Sequence, residues 1–143
     1  MKSIAIVIPC RNEEKYIGRC IESVLKQDYP KDKISLFICD GMSTDQTPDI
    51  VKSYIRKFTN IQLLLNERQT TPYALNLGIN KSSSDVVIIL GAHSELYYDY
   101  VSNCVETFNV DPKIACVGGI IENVYENETA EVIGKAMTEP FWD

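Results

Sequence analysis

His93 is the only histidine of the 143-residue chain, and Glu95 follows it two positions on. One imidazole and one carboxylate are too few to hold a metal ion alone. They suffice where a bound diphosphate supplies the remaining oxygens, as is usual for magnesium or manganese. An imidazole donor tilts the choice toward manganese. The plain alternative is a structural histidine in the turn that ends the apolar run of VVIILGAHSEL, residues 86–96. Asp40 opens a second stretch, DGMSTDQT. Its carboxylate suits a ligand donor such as uracil N3–H or a ribose hydroxyl, and Asp45 suits a role holding the loop through backbone amides. The same residue types favour tight turns, so a turn leading into a capped helix is the alternative there. Arg11 in PCRNEE and Arg68 in NERQTT are cations that could meet a phosphate or a nucleotide. Solvent-exposed arginines are the alternative for both.

These residues need elements to place them, and apolar spacing supplies candidates. Ser3–Pro9, Ile34–Cys39, Ile61–Leu65, Asp85–Leu90 and Ile114–Val117 read as strands. Asn12 is a candidate N-cap, with Glu13 and Glu14 in the first turn of a helix carrying Ile17, Cys20, Ile21, Val24 and Leu25. Thr47-Pro48 and Thr71-Pro72 each combine a cap with a proline at the first helical position. The first opens a helix lined by Ile50, Val51, Tyr54, Ile55 and Phe58, and the second a short helix toward Ile79. Gly78 in that short helix would let it approach the sheet closely. Val101, Cys104, Val105 and Phe108 mark another helix, and Ala130–Met137 a last one.

Strands and helices alternate, and the strands are continuous apolar runs, as expected when both faces are covered. The fold class predicted is α/β: a doubly wound, mainly parallel sheet with helices on both faces. Right-handed crossovers put all the strands' carboxyl ends on one edge, and ligands bind at that edge. Residues 10–13, 40–45, 66–68 and 91–95 are therefore expected on one rim.

Composition bounds the function. Hydrophobic residues make up 45% of the chain, which rules out a disordered segment. The net charge of −6 argues against a broad nucleic-acid footprint but leaves a single nucleotide open. No apolar run approaches a membrane span, and the N-terminus lacks the features of a signal peptide. The five cysteines are odd in number and scattered, which suggests buried reduced thiols rather than a zinc site. No P-loop, Rossmann fingerprint or nucleophile elbow occurs. A phospho-acceptor signalling domain would need an aspartate ending the third strand, which instead ends in Leu65-Asn66.

IPCRNEEKYIGRCIESVLKQDYP, ICDGMSTDQTPDIV, ALNLGI and GAHSELYYDYV, in that order, resemble family-2 glycosyltransferases. The DGMSTD form and the Ala92-His93 pair look most like the branch that makes bacterial exopolysaccharides such as succinoglycan. The resemblance implies a GT-A fold and an inverting enzyme that uses a nucleotide-diphospho-sugar donor, a saccharide or lipid-linked acceptor and Mn2+ or Mg2+. It implies that Pro9, Arg11 and Glu13 lie in the first nucleotide-binding segment, that Asp40 contacts the base and that Arg68 approaches it. Gly91-Ala92-His93 lies over the metal-binding DxD, which often reads DAH in this branch. Gly91 here replaces the first aspartate, so His93 keeps the second ligand position and Glu95 is a possible substitute.

By the same resemblance, residues 1–143 are expected to form one domain, the nucleotide-sugar-binding part. The acceptor-binding part and the general base would lie beyond Asp143. Membrane association would come only through that further part, at the inner face of the cell membrane in an otherwise cytoplasmic protein. The rival reading is a degenerate nucleotide-binding or protein-interaction domain without catalysis.

Overall fold

A computed structural model describes residues 1–124 and 126–132. Four parallel strands make the sheet: β1 (Ile4–Cys10), β2 (Ile34–Asp40), β3 (Ile61–Leu65) and β4 (Val86–Ile89). Their order is β3-β2-β1-β4. Ile4 pairs with Ile34 on one side and Val86 on the other, and Cys10 pairs with Asp40. The connecting helices are α1 (Ile17–Leu25), α2 (Thr47–Ile55) and α3 (Thr71–Lys81), with α4 (Tyr100–Val110) after β4.

The helices form where apolar residues recur on one side. Ile17, Cys20, Ile21 and Val24 of α1 are all buried. They pack with Val51 of α2 and Val101 of α4 over Ile4, Ile6 and Ile8 of β1. Each such buried isoleucine contributes about 2–3 kcal/mol relative to exposure. The other face is thinner, with Val7 and Cys39 meeting Ala74 of α3. Gly78 is what lets α3 sit so close: a β-carbon there would lie 2.4 Å from a methyl of Val7.

Burial on both faces holds for β1 and β2 and fails at the sheet edges. Val87 and Ile89 of β4 and Leu65 of β3 are exposed. Helix α3 packs chiefly over β1 and β2, which leaves residues of the outer strands exposed on one face. The fifth strand expected at Ile114–Val117 does not form. Its apolar residues have strand propensity, but a strand exists only through hydrogen bonds to a neighbour, and this segment pairs with none among the described residues. The last helix is described over 128–132, and the remainder of its expected span lies outside the described residues. Cys10, Cys20, Cys39 and Cys104 are buried free thiols, whereas Cys116 is exposed. No described helix is long and apolar enough to cross a membrane.

Candidate functional site

The strand order reverses direction between β1 and β4, since β2 and β3 extend one way from β1 and β4 lies on the other side. In a parallel sheet that reversal opens a crevice at the carboxyl edge, where the flanking loops diverge. The loops after β1 and β4 therefore face each other across it, and all four predicted polar segments share this rim.

The loops after β1, β2 and β3 are bonded directly to one another. The Gly41 amide donates to the Cys10 carbonyl, and the Asn66 amide to the Asp40 carbonyl, both at 2.8 Å. The Asn12 amide donates to Ser43 Oγ, and the Thr44 amide to Asn12 Oδ1, again at 2.8 Å. Three non-glycine residues with positive φ sit in these loops: Asn12 at 52°, Met42 at 62° and Gln69 at 63°. Such backbones cost about 1 kcal/mol or more each and persist where neighbours enforce them.

This bonding corrects two expected caps. Asn12 does not cap α1, which begins at Ile17 with Tyr16 before it and has no acidic residue in its first turn. The Asn12 side chain bonds the neighbouring loop instead. Thr47 lies inside α2, and its hydroxyl accepts the Glu13 amide at 2.9 Å. Asp45 takes the capping role, accepting the Thr47 amide at 2.9 Å and the Glu14 amide at 3.2 Å. Partial burial opposes ionisation of Asp45, but the hydrogen bonds from Thr47 and Glu14 outweigh it and hold the carboxyl below its ordinary value. The third cap moves by one residue, since Thr70 precedes a helix that starts at Thr71.

Asp40 ends β2 at the middle of this lattice and is only 4% exposed. Oδ2 accepts the Ser43 amide at 3.1 Å, and Oδ1 accepts the Ser43 hydroxyl. The Cys10 thiol also points at Oδ1, 3.8 Å away. Burial first, then the Asp40 charge, pushes that thiol well above its ordinary pKa, so it stays a donor.

The loop after β4 is held differently, from beneath by α1. Buried Gln27 donates to the carbonyls of Ser23 at 3.0 Å and Tyr97 at 2.7 Å, and accepts the Val101 amide at 3.0 Å. Ser23 Oγ accepts the Leu96 amide at 3.0 Å. Cys20 donates to the Gly91 carbonyl at 3.5 Å. Burial, then the nearby Glu95 and Glu13 carboxylates, push this thiol up to about 12, so it remains protonated. Sequence reading overlooked Ser23 and Gln27. Ser23 had a signal, a polar residue on the apolar side of α1, whereas Gln27 lies just past the end of that helix.

At the tip of this loop His93 is exposed, and its Nδ1 lies 3.3 Å from Glu13 Oε1 of the opposite loop. The edge of the Tyr16 ring faces the imidazole, with centroids 6.4 Å apart. Glu95 is exposed and makes no hydrogen bond or ion pair among the described residues. Gly91 has no positive φ, and an added β-carbon would meet only Ser94 Oγ, at 3.2 Å. Ala92 is buried.

Arg11 is exposed at the crevice, and Pro9 is half-buried in β1. Arg68 stacks on the Tyr73 ring at 4.4 Å and donates to its hydroxyl at 2.6 Å. No group of three or more metal-ligating side chains exists among the described residues. The donors present therefore fit a cation that takes most of its oxygens from a ligand. Two hollows of about 650 and 590 Å³ lie at the other end of the strands, around Lys2 and Asp85. There the Asp85 carboxylate is bonded to the amide and hydroxyl of Ser3. The rim, with its convergent polar groups and enforced backbones, is the better candidate site.

Several known proteins are similar to this chain. A protein of Methanococcus voltae, dolichyl N-acetyl-alpha-D-glucosaminyl phosphate 3-beta-D-2,3-diacetamido-2,3-dideoxy-beta-D-glucuronosyltransferase, is 44% identical over 98% of this chain and 46% of its own length. The mannosyltransferase PcManGT of Pyrobaculum calidifontis, solved with GDP-Man and Mn2+, superposes with a TM-score of 0.74 and 26% identity, covering 82% of this chain and 36% of that one. Staphylococcus aureus TarS, solved with UDP, gives a TM-score of 0.68 at 24% identity over 76% of this chain and 32% of that one, and shows the shared GT-A fold. This chain spans less than half the length of each, and none of the three names succinoglycan. The family described as "Glycosyl transferase family 2" matches residues 5–138. With the motifs in order on one rim, that match establishes that the chain belongs to glycosyl transferase family 2.

Proposed function

We propose that residues 1–143 are the donor-binding part of an inverting glycosyltransferase that uses a nucleotide-diphospho-sugar. The observation that carries this reading is the crevice between β1 and β4. The loops carrying Arg11 and His93 flank it, and the buried carboxylate of Asp40 and the guanidinium of Arg68 follow along the same rim. The nucleotide lies across the rim with its base toward Asp40 and Arg68. Its diphosphate lies toward Arg11 and His93. The guanidinium of Arg11 neutralises phosphate charge, and that of Arg68 is held on the Tyr73 ring. His93 is the ligand that this chain offers a divalent cation, Mn2+ or Mg2+. Such a cation, when bound, neutralises the diphosphate and stabilises its departure as a Lewis acid.

In the reaction proposed, an acceptor hydroxyl attacks the anomeric carbon from the face opposite the diphosphate. The new glycosidic bond forms as the bond to the diphosphate oxygen breaks, and a carboxylate base takes the hydroxyl proton. Relatives holding UDP and GDP-Man support a nucleotide-sugar donor. The M. voltae relative names a lipid phosphate-linked sugar as acceptor. We favour a lipid-linked saccharide here too, in cell-surface glycan synthesis at the cytoplasmic face of the membrane. The succinoglycan-type assignment rests on the form of DGMSTD and AH alone.

Calorimetric titration of the chain with UDP, GDP and dTDP, each with and without Mn2+, tests the donor site. One nucleotide is expected to bind, more tightly with Mn2+. A folded chain that binds none of them overturns the reading.

A further inference from the structure

We infer that Glu13 is the second protein ligand of the divalent cation, supplying from the loop after β1 the carboxylate that Gly91 lacks. The inference rests on the donor-site reading but assigns a residue that the DxD comparison leaves out. Glu13 and His93 are 80 positions apart in the chain and meet across the crevice. Their facing atoms, Oε1 and Nδ1, are 3.3 Å apart. Donors about 2.1 Å from one ion and at right angles stand about 3.0 Å apart, so a small side-chain adjustment lets both bind one cation. As a mere ion pair with an exposed imidazole, the contact would add little stability.

The surroundings hold the Glu13 backbone in place. The Glu13 amide is anchored to Thr47 Oγ1, and its carbonyl accepts the amides of Tyr16 and Ile17 at 3.0 and 2.9 Å. The carboxylate is thus presented by an immobilised backbone, and its side chain stays 23% exposed. Tyr16 packs edge-on against the imidazole. Glu95, two residues beyond His93, shows no hydrogen bond or ion pair to it. Gly91 is not demanded by its backbone, and only the Ser94 hydroxyl crowds a β-carbon there. The rim therefore tolerates a carboxylate at 91 and has one available from Glu13 instead.

The test is Mn2+ titration of the 143-residue chain, read by the EPR signal of free Mn2+, with and without the nucleoside diphosphate it binds. Glu13→Gln is expected to weaken Mn2+ binding at least about tenfold, in the chain without nucleotide as well as with it. Adding Gly91→Asp to that variant restores Mn2+ binding. His93→Gln, a change at an exposed side chain, lowers Mn2+ affinity comparably. Far-UV circular dichroism establishes that each variant is folded.

Wild-type Mn2+ affinity in folded Glu13→Gln overturns the inference. So does loss of Mn2+ through Glu95→Gln with Glu13→Gln unaffected. A wild-type chain that binds nucleotide but no Mn2+ also overturns it, and leaves the donor site standing. A Glu13-dependent Mn2+ site in a chain that binds no nucleotide supports the ligand assignment and removes the donor reading instead.

Discussion

The two sides of the rim are secured in opposite ways. On the β1–β2–β3 side, the loops bond to each other: Asn12 to Ser43 and Thr44, Asp45 to Glu14, Gly41 to Cys10 and Asn66 to Asp40. On the β4 side, the loop is bonded to Ser23 of α1 and to Gln27 just past the end of that helix, and its tip touches the other side through His93 and Glu13. Interlocked loops hold their shape before a ligand arrives. A loop fastened at its base keeps a movable tip. In the donor-site reading proposed above, the first side would select the nucleotide and the second would grip the diphosphate and its cation.

The largest expected effect comes from cutting the base of the second side. Gln27→Ala removes three hydrogen bonds and leaves the buried Val101 amide without its partner, while the Tyr97 carbonyl keeps the Tyr100 amide. It should cost about 3 kcal/mol, seen as a lower urea midpoint at unchanged m. The Mn2+-dependent part of nucleotide affinity should fall, and the Mn2+-independent part should remain. Asp40→Ala attacks the first side. It should cost about 2 kcal/mol by leaving the Ser43 amide unpaired. Here nucleotide affinity should fall with or without Mn2+. The same calorimetric pattern for both variants would erase the distinction between the two sides.

Asp45→Ala should cost about 1 kcal/mol, the usual worth of a cap. Because the folded carboxyl titrates below its ordinary value of 3.8, its contribution is complete above that value. It is lost as pH falls through the lowered folded value. Urea midpoints of wild type and variant should therefore converge in acid and diverge toward neutrality.

The smallest effect is expected at Gly91. Gly91→Ala should change stability by less than about 0.5 kcal/mol, since φ is not positive and only a hydroxyl must turn aside. A thermal midpoint lowered by many degrees would mean that the glycine is structural. Hydrogen exchange compares the two sides directly: the amides of Gly41 and Thr44 should be protected, and those of His93 and Glu95 should exchange rapidly.

Gly78 shows how far local reading reaches. A small residue on a helix facing a sheet implies close approach, and the structure puts α3 against Val7 at that point. Asn12 and Thr47 show where it stops. Both have cap chemistry, and both use it on another loop, because a side-chain acceptor takes whichever amide folding brings near. The apolar run at 114–117 fails as a strand for a related reason, since propensity belongs to the residues and pairing to a neighbour.

The sequence by itself determined the four strands, the amphipathic helices, their parallel arrangement and the membership of residues 10–13, 40–45, 66–68 and 91–95 in one rim. These follow from periodicity and from the handedness of crossovers, which act over tens of residues at most. Only the tertiary structure decided that Asp40 is engaged by Ser43, that Gln27 fastens the loop carrying His93, and that Glu13 faces His93. Those contacts join positions 3, 74 and 80 apart, and the two longer ones depend on β1 and β4 being neighbours in the sheet. The partner of a long-range polar contact is set by where strand order brings the chain back, a consequence of packing the whole core.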